Sequence, residues 1–140
     1  MSEVNDRNTK VIEMFRASGG KLGGFSSLLL LHTIGAKSGL ERVNPTAFMR
    51  DGARLVVVAS DSGAPNNPGW YYNIKANPLV TVEVGTETFQ ALATITEEPE
   101  RSQLYDRMAA SMPGYDEYRH KTSRVIPVIV LTPVKVGESR

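Results

Sequence analysis

Cysteine is absent from the 140-residue chain. Its absence removes disulfides, thiolate nucleophiles and cysteine-ligated zinc or iron–sulfur centres, and agrees with a reducing cytoplasm. Histidine occurs twice, at His32 and His120, too few for a histidine-rich metal centre, so no metal is expected. Neither sign of charge prevails. The 16 Lys and Arg against 15 Asp and Glu leave a net charge of +1, so broad nucleic-acid affinity from a basic surface is not expected. Long apolar runs are missing too: the most hydrophobic stretch, Phe25 to Ile34, is about half what a membrane span requires. The polar start, Ser2-Glu3-Val4-Asn5-Asp6-Arg7, does not read as a secretory signal.

What is present is ordinary globular material, 41% hydrophobic and 22% charged, in one domain long enough to bury a core. Residues 4 to 18 predict an amphipathic helix with Val11, Ile12 and Phe15 on one face, Asn8 or Thr9 as its cap and Gly19-Gly20 as its end. Residues 1–20 are then a helical arm, and 21–140 the main domain. Phe25 to Ile34 lacks clean alternation and reads as a strand buried on both faces or leading into a buried site. His32 within it is expected to be a hydrogen-bonded core residue with no chemistry of its own.

Thr46 to Arg50 and Arg54 to Ser60 flank Asp51-Gly52, a tight-hairpin signal, and Leu55 to Ala59 is β-branched and apolar as a central barrel strand should be. The loop from Asp61 to Asn67 is rich in turn residues. A short helix, Gly69 to Ala76, is predicted to follow, with Pro68 in its first turn and Asn67 as its cap; its free amides are a candidate anion site. Leu79 to Val84 and Thr88 to Ile95 form a second hairpin around Gly85-Thr86. Thr96 is expected to cap a helix whose first turn holds Glu97, Glu98 and Glu100, with Leu104, Met108 and Met112 as its buried stripe and Pro113-Gly114 as its stop. A helical turn or two from Tyr115 would put Tyr115 and Tyr118 on one face. Val125 to Leu131 closes the sheet. The order of elements predicts an antiparallel barrel carrying helices, an α+β fold.

The stretch with most chemical content is Gly35-Ala36-Lys37-Ser38-Gly39-Leu40-Glu41-Arg42. Glycines at both ends free the backbone to approach a ligand, and Lys37 and Arg42 bring cations beside exposed amides, which suits an anion. It matches neither phosphate-loop nor dinucleotide-loop spacing, and turn chemistry alone favours a plain surface hairpin. Likewise Trp70, Tyr71 and Tyr72 offer flat surfaces for a planar ring, yet aromatics on a short helix more often anchor it to the core.

These residues in order, Gly35 to Gly39, Arg42-Val43-Asn44-Pro45, Asp51-Gly52, Asn67-Pro68-Gly69-Trp70-Tyr71-Tyr72-Asn73 and Lys75-Ala76-Asn77-Pro78, resemble the deazaflavin-dependent nitroreductase and quinone reductase family of actinobacteria. The likeness runs from about residue 25 to 133. It implies a split antiparallel β-barrel, FMN-binding-like in fold, that binds coenzyme F(420), an 8-hydroxy-5-deazaflavin. The implied reaction is hydride transfer from the reduced coenzyme to an activated acceptor: a quinone, an enone or a nitroaromatic. The resemblance places Lys37, Ser38 and Arg42 at the phosphate and glutamyl tail. It puts Val43, Asn44, Pro45 and Thr46 along the ring, Ala59 and Ser60 beside it, Asp61 near the tail, and Gly69, Trp70 and Asn73 on its other parts. Tyr115 and Tyr118 would face the acceptor as catalytic hydrogen-bond donors, with packing of a surface helix as the alternative. Some relatives carry an arginine where this chain has Ala36 and a lysine where it has Asp61, which implies a less basic tail site here; Arg50 or Arg54 would compensate only if directed inward. A coenzyme that carries the chemistry explains why no acid/base pair or triad is visible. The readings kept beside this one are an FMN-dependent reductase and a non-catalytic binder of deazaflavin or an apolar ligand. A monomer or homodimer is expected, in the cytoplasm, with peripheral membrane contact through the N-terminal helix as in quinone-reducing relatives.

Overall fold

The computed structural model describes residues 3–19 and 28–134. Helix α1 (Glu3–Ala17) leads to strands β1 (Leu28–Ile34), β2 (Glu41–Ala47), β3 (Met49–Asp51) and β4 (Arg54–Val58). A 3-10 turn (Asp61–Gly63) and helix α2 (Gly69–Ala76) precede the hairpin β5 (Leu79–Val84) and β6 (Glu87–Ile95). Helices α3 (Glu100–Ser111) and α4 (Gly114–Lys121) then carry the chain to β7 (Val128–Pro133).

The seven strands form one sheet in the order β2-β1-β5-β6-β7-β4-β3, and every neighbouring pair is antiparallel. Its two outermost strands, β2 and β3, are separated in sequence by Phe48 alone. A sheet whose first and last strands are one chain segment must curl until its edges approach, which makes the split barrel. The expected strand from Thr46 to Arg50 is therefore two strands with different partners: Thr46 faces Leu29 on β1, whereas Met49 faces Val56 on β4. The Asp51-Gly52 hairpin forms as expected, with Gly52 at φ +62°. β4 ends at Val58 instead of Ser60, and β7 begins at Val128 instead of Val125.

β4 is buried on both faces. Leu55, Val57 and Ala59 point into the barrel with Leu29, Leu31, Phe48, Trp70, Ile74 and Ile129, while Val56 and Val58 point outward under Leu104, Tyr105 and Met108 of α3. That double burial explains its unbroken β-branched run. Tyr105, absent from the expected stripe of α3, is 1% exposed and donates its hydroxyl to Tyr115 O at 2.6 Å.

Three expected caps differ. α1 starts at Glu3, so Asn8 and Thr9 lie within it. The Thr96 hydroxyl donates to Val128 O at 2.8 Å, and the cap position of α3 is Pro99, with the Glu98 carboxylate before it accepting from Ser102 N at 3.0 Å. Asn67 accepts from Arg124, and the cap position of α2 is Pro68.

α1 docks through buried Phe15 and through Arg16, whose Nη2 donates to Glu83 Oε2 at 2.7 Å. His32 Nε2 lies 2.5 Å from the same carboxylate oxygen, and its Nδ1 lies 3.4 Å from Glu41 Oε2. His32 is thus hydrogen-bonded through Nε2, as expected, while its buried Nδ1 has no hydrogen-bond partner among the described residues. The guanidinium of Arg16, then His32, hold the Glu83 carboxyl below its ordinary pKa against the opposing effect of burial. Phe25, Gly20 and the other residues expected to flank these elements at 20–27 lie outside the described residues. Among the described residues no helix is long and apolar enough to cross a membrane, and no acidic or histidine cluster could hold a metal.

Candidate functional site

The glycine-bounded turn joins β1 to β2. Its backbone closes on itself: Gly35 N donates to Leu40 O at 2.8 Å and Gly39 N to Gly35 O at 2.9 Å. Ser38 Oγ accepts from Leu40 N at 3.1 Å, and a Cβ on Gly35 would stand 2.4 Å from that oxygen and 3.3 Å from Leu40 O, so a side chain there would displace the Ser38 hydroxyl from its bond. Lys37, Ser38 and Arg42 are all exposed, and neither cation makes an ion pair among the described residues. Two unneutralised cations on a closed turn are available to an anion.

Asn73 fastens this turn to α2. Its Oδ1 accepts from Ala36 N at 2.9 Å and its Nδ2 donates to Thr33 Oγ1 at 3.0 Å, where Thr33 is 1% exposed. Both ends of the amide are thereby engaged within the protein, so Asn73 shapes the turn.

Val43, Asn44, Pro45 and Thr46 follow on β2, each half-buried. β2 is a sheet edge, which accommodates Pro45 without loss of a ladder bond and leaves polar backbone groups unclaimed on one side. A half-covered edge beside a cationic turn can receive a flat, weakly polar group continuous with an anionic one.

Ala59 and Ser60 are buried at the end of β4, where Ala59 N donates to Pro127 O at 3.0 Å; Asp61 is exposed. The chain then passes through three left-handed residues, Asp61 at φ +46°, Ser62 at +55° and Gly63 at +79°. Gly63 is buried under α4, and a Cβ there would meet Tyr118 O at 3.0 Å and Lys121 Cβ at 3.1 Å. Lys121 Nζ donates to Ser62 O at 3.3 Å. So α4, which carries Tyr115 and Tyr118, is docked on the loop that carries Ser60.

The two tyrosines are half-buried and meet edge to face, ring centroids 5.3 Å apart at 78°. With Ala47, Met49 and Met112 they border the outer core. Burial, then the neighbouring Tyr118 and Tyr105, push the Tyr115 phenol up to about 12. It is neutral and able to donate a hydrogen bond at any ordinary pH.

Of the other expected contacts, Trp70 is 7% exposed and packs in the barrel with Ile74, the anchoring role that aromatics on a short helix usually take. Gly69 is exposed at the start of α2, where no side chain caps the free amides. Arg54 is committed to Asp51 and Glu100, and Arg50 lies over the Phe48 ring at 5.7 Å. Both sit on the β3–β4 hairpin and are engaged there, away from the Gly35–Arg42 turn. A cleft of about 470 Å³ between β3 and α3, lined by Phe48, Met49, Arg50, Arg107, Ala110, Ser111 and Met112, contains none of the expected site residues.

The expected residues thus fall into two groups: the turn with β2 and Asn73, and the Ala59–Asp61 loop with Tyr115 and Tyr118. α2 links them, since the loop feeds its first turn and its Asn73 holds the turn. Sequence reasoning missed Arg124, whose guanidinium reaches into the loop. Its acceptors are mostly backbone carbonyls, which leave no sequence signal.

Known proteins resemble this chain in sequence and in fold. Residues 7–133 match the family model of F(420)H(2)-dependent quinone reductase. An F(420)H(2)-dependent quinone reductase of Mycobacterium tuberculosis is 38% identical over 126 residues, covering 85% of each chain. A solved F(420)H(2)-dependent reductase superposes with a TM-score of 0.69 at 37% identity, covering 75% of this chain and 93% of its own. A further solved relative, described as a domain-swapped dimer, superposes with a TM-score of 0.71 at 33% identity over 91% of this chain and 96% of its own.

Proposed function

This chain belongs to the F(420)H(2)-dependent quinone reductase family, and on that premise we propose which of its residues hold the coenzyme and serve the transfer. The protein is an oxidoreductase that uses reduced coenzyme F(420) and passes a hydride to a quinone. The observation that carries the residue assignment is the pair of unpaired cations, Lys37 and Arg42, on a closed turn that runs directly into a half-covered edge strand. That donor set fits a ligand with a phosphodiester and carboxylates at one end and a flat ring at the other.

When bound, the reduced coenzyme supplies the hydride from C5 of its deazaflavin ring. The residues bind, orient and shield. Lys37 and Arg42 hold the phosphate and glutamyl tail, with the Ser38 hydroxyl beside them. Val43 to Thr46 lie along one side of the ring and Ala59 to Asp61 along another, with Gly69 and its free amides near by. Trp70 and Asn73 support these contacts from beneath. Tyr115 and Tyr118 donate hydrogen bonds to the quinone carbonyl as it gains negative charge, and the raised pKa of Tyr115 keeps its donor proton in place. The hydride and one proton together convert the quinone to its quinol.

Finer expectations about partners have their own support. A second copy of this chain is a partner suggested by the domain-swapped dimer of one relative. A peripheral membrane contact through α1 is supported by Met14, which is 59% exposed beside buried Phe15.

The test is fluorescence titration with oxidised F(420), with FMN in parallel, followed by quinone reduction with the reduced coenzyme. Saturable binding of the deazaflavin and not of FMN is expected; selective FMN binding would sink the coenzyme assignment. Tyr118→Phe is expected to lower quinone turnover roughly tenfold or more while coenzyme affinity stays within about twofold. Equal losses in both would assign Tyr118 to packing.

A further inference from the structure

Arg124 stands between α4 and β7 and directs its whole guanidinium into the Ala59–Asn67 loop. Nε donates to Ala64 O at 2.9 Å, Nη2 to Ser60 O at 2.7 Å, and Nη1 to both Ala59 O, at 3.2 Å, and Asn67 Oδ1. Three of the four acceptors are main-chain carbonyls, so this side chain reads the path of the backbone. No ion pair among the described residues includes it. A planar fork with donors in fixed directions suits that task, and an ammonium does not.

The loop is one that needs an outside clamp. Asp61 and Ser62 hold positive φ angles that side-chain-bearing residues rarely adopt, and such conformations persist only where the surroundings over-determine them. Arg124 grips the chain on both sides of these residues, at Ala59 and Ser60 before them and at Ala64 and Asn67 after. Its clamp therefore fixes where β4 ends and where Ser60 and Asp61 emerge.

We propose that Arg124 is a positioning residue for the coenzyme ring, acting by clamping the loop that presents Ala59, Ser60 and Asp61. The proposal rests on the coenzyme reading above and adds a residue that acts on the ring through the backbone. It predicts a dependence opposite to that of Lys37: Arg124 governs the ring end of the ligand and Lys37 the tail.

Two probes separate these ends: the whole oxidised coenzyme, and its deazaflavin fragment without phosphodiester and glutamyl tail, both titrated by fluorescence. Arg124→Ala is expected to weaken both by the same factor, on the order of tenfold. Arg124→Lys should recover little of this, and dilute guanidinium ion should restore part of the binding to the Ala variant. Unchanged affinity for the fragment, a loss confined to the whole coenzyme, or full recovery by lysine would each overturn the proposal. If Arg124→Ala does not fold, Asn67→Leu removes one acceptor and leaves the carbonyls in place. It should weaken both probes about threefold, and unchanged binding would overturn the clamp. Failure of the unaltered protein to bind the coenzyme would instead overturn the coenzyme reading, whereas normal binding by every variant would remove only the role of Arg124.

Discussion

The Gly35–Arg42 turn is closed by its own backbone, whereas the Ala59–Asn67 loop is held from outside by Arg124. In the first, glycine at the two ends lets the chain reverse without strain, and the cations stand in solvent. In the second, Asp61 and Ser62 each cost about 1–2 kcal/mol in the left-handed region, and the loop keeps them because charge-assisted hydrogen bonds of about 1.5–3 kcal/mol apiece hold both flanks. One turn is cheap to form and open to a charged ligand; the other carries backbone strain and is tied at both flanks by Arg124. On the proposed assignment the difference suits the two ends of the coenzyme: exposed cations would meet the anionic tail, and a loop tied at both flanks would stand beside the ring, where hydride transfer depends on fixed geometry.

Glycine substitution should break the comparison most visibly. Gly63 combines φ +79° with a Cβ position 3.0 Å from Tyr118 O and 3.1 Å from Lys121, so Gly63→Ala adds both backbone strain and a collision with α4. A loss of about 2–4 kcal/mol in denaturant unfolding is expected. Gly39 has a similar φ of +71°, but no atom lies within 4 Å of its Cβ position. Gly39→Ala should lose only about 1 kcal/mol. Equal losses would mean that the loop is not packed as tightly under α4 as these distances say.

Charge gives the next test, and it acts on the other turn. Lys37 is exposed, so Lys37→Ala should weaken the whole coenzyme on the order of tenfold at low ionic strength, and the difference should shrink as salt screens the interaction. Binding of the tail-less ring fragment should not change. A loss that is independent of salt would show that Lys37 contributes by shaping the turn, as Asn73 does, and not by its charge.

The same contrast explains what could be read from the residues alone. The turn was legible because its determinants are local: glycines, cations and the Asp51-Gly52 pair lie in sequence beside the features they create. β5, β6 and α2 were legible for the same reason. The strand drawn from Thr46 to Arg50 was continuous in pattern, and its division at Phe48 depends on β1 and β4 as separate partners. Thr96 and Asn67 carry good capping side chains, yet Val128 O and Arg124 engage them first. Arg124 itself was invisible because its acceptors are 57 to 65 residues away and are chiefly carbonyls, which any residue can supply. The loop held from outside is written in tertiary contacts, and the self-closed turn in the local sequence.

The smallest effect is expected at Glu98, which belongs to neither region and so tests whether the contrast is local. Its carboxylate accepts from Arg101 Nε at 2.8 Å and from Ser102 N and Oγ at the start of α3. The Arg101 guanidinium, then Ser102, hold its pKa at about 2, below the ordinary carboxylate value. Because the folded-state pKa is depressed, the stabilisation is present above the unfolded value of about 4.3 and is lost as pH falls from there towards about 2. Glu98→Gln keeps an acceptor for Ser102 N and removes only the charge. The melting temperature of the variant should sit slightly below that of the unaltered protein near neutrality, and the gap should close as pH drops below about 4. Coenzyme affinity should be the same in both proteins at neutral pH. A gap that widened on acidification would contradict the sign of this linkage. A loss of coenzyme affinity would show that α3 transmits strain to Tyr115 and the Ser60 loop, and the two turns could then no longer be treated as independently held.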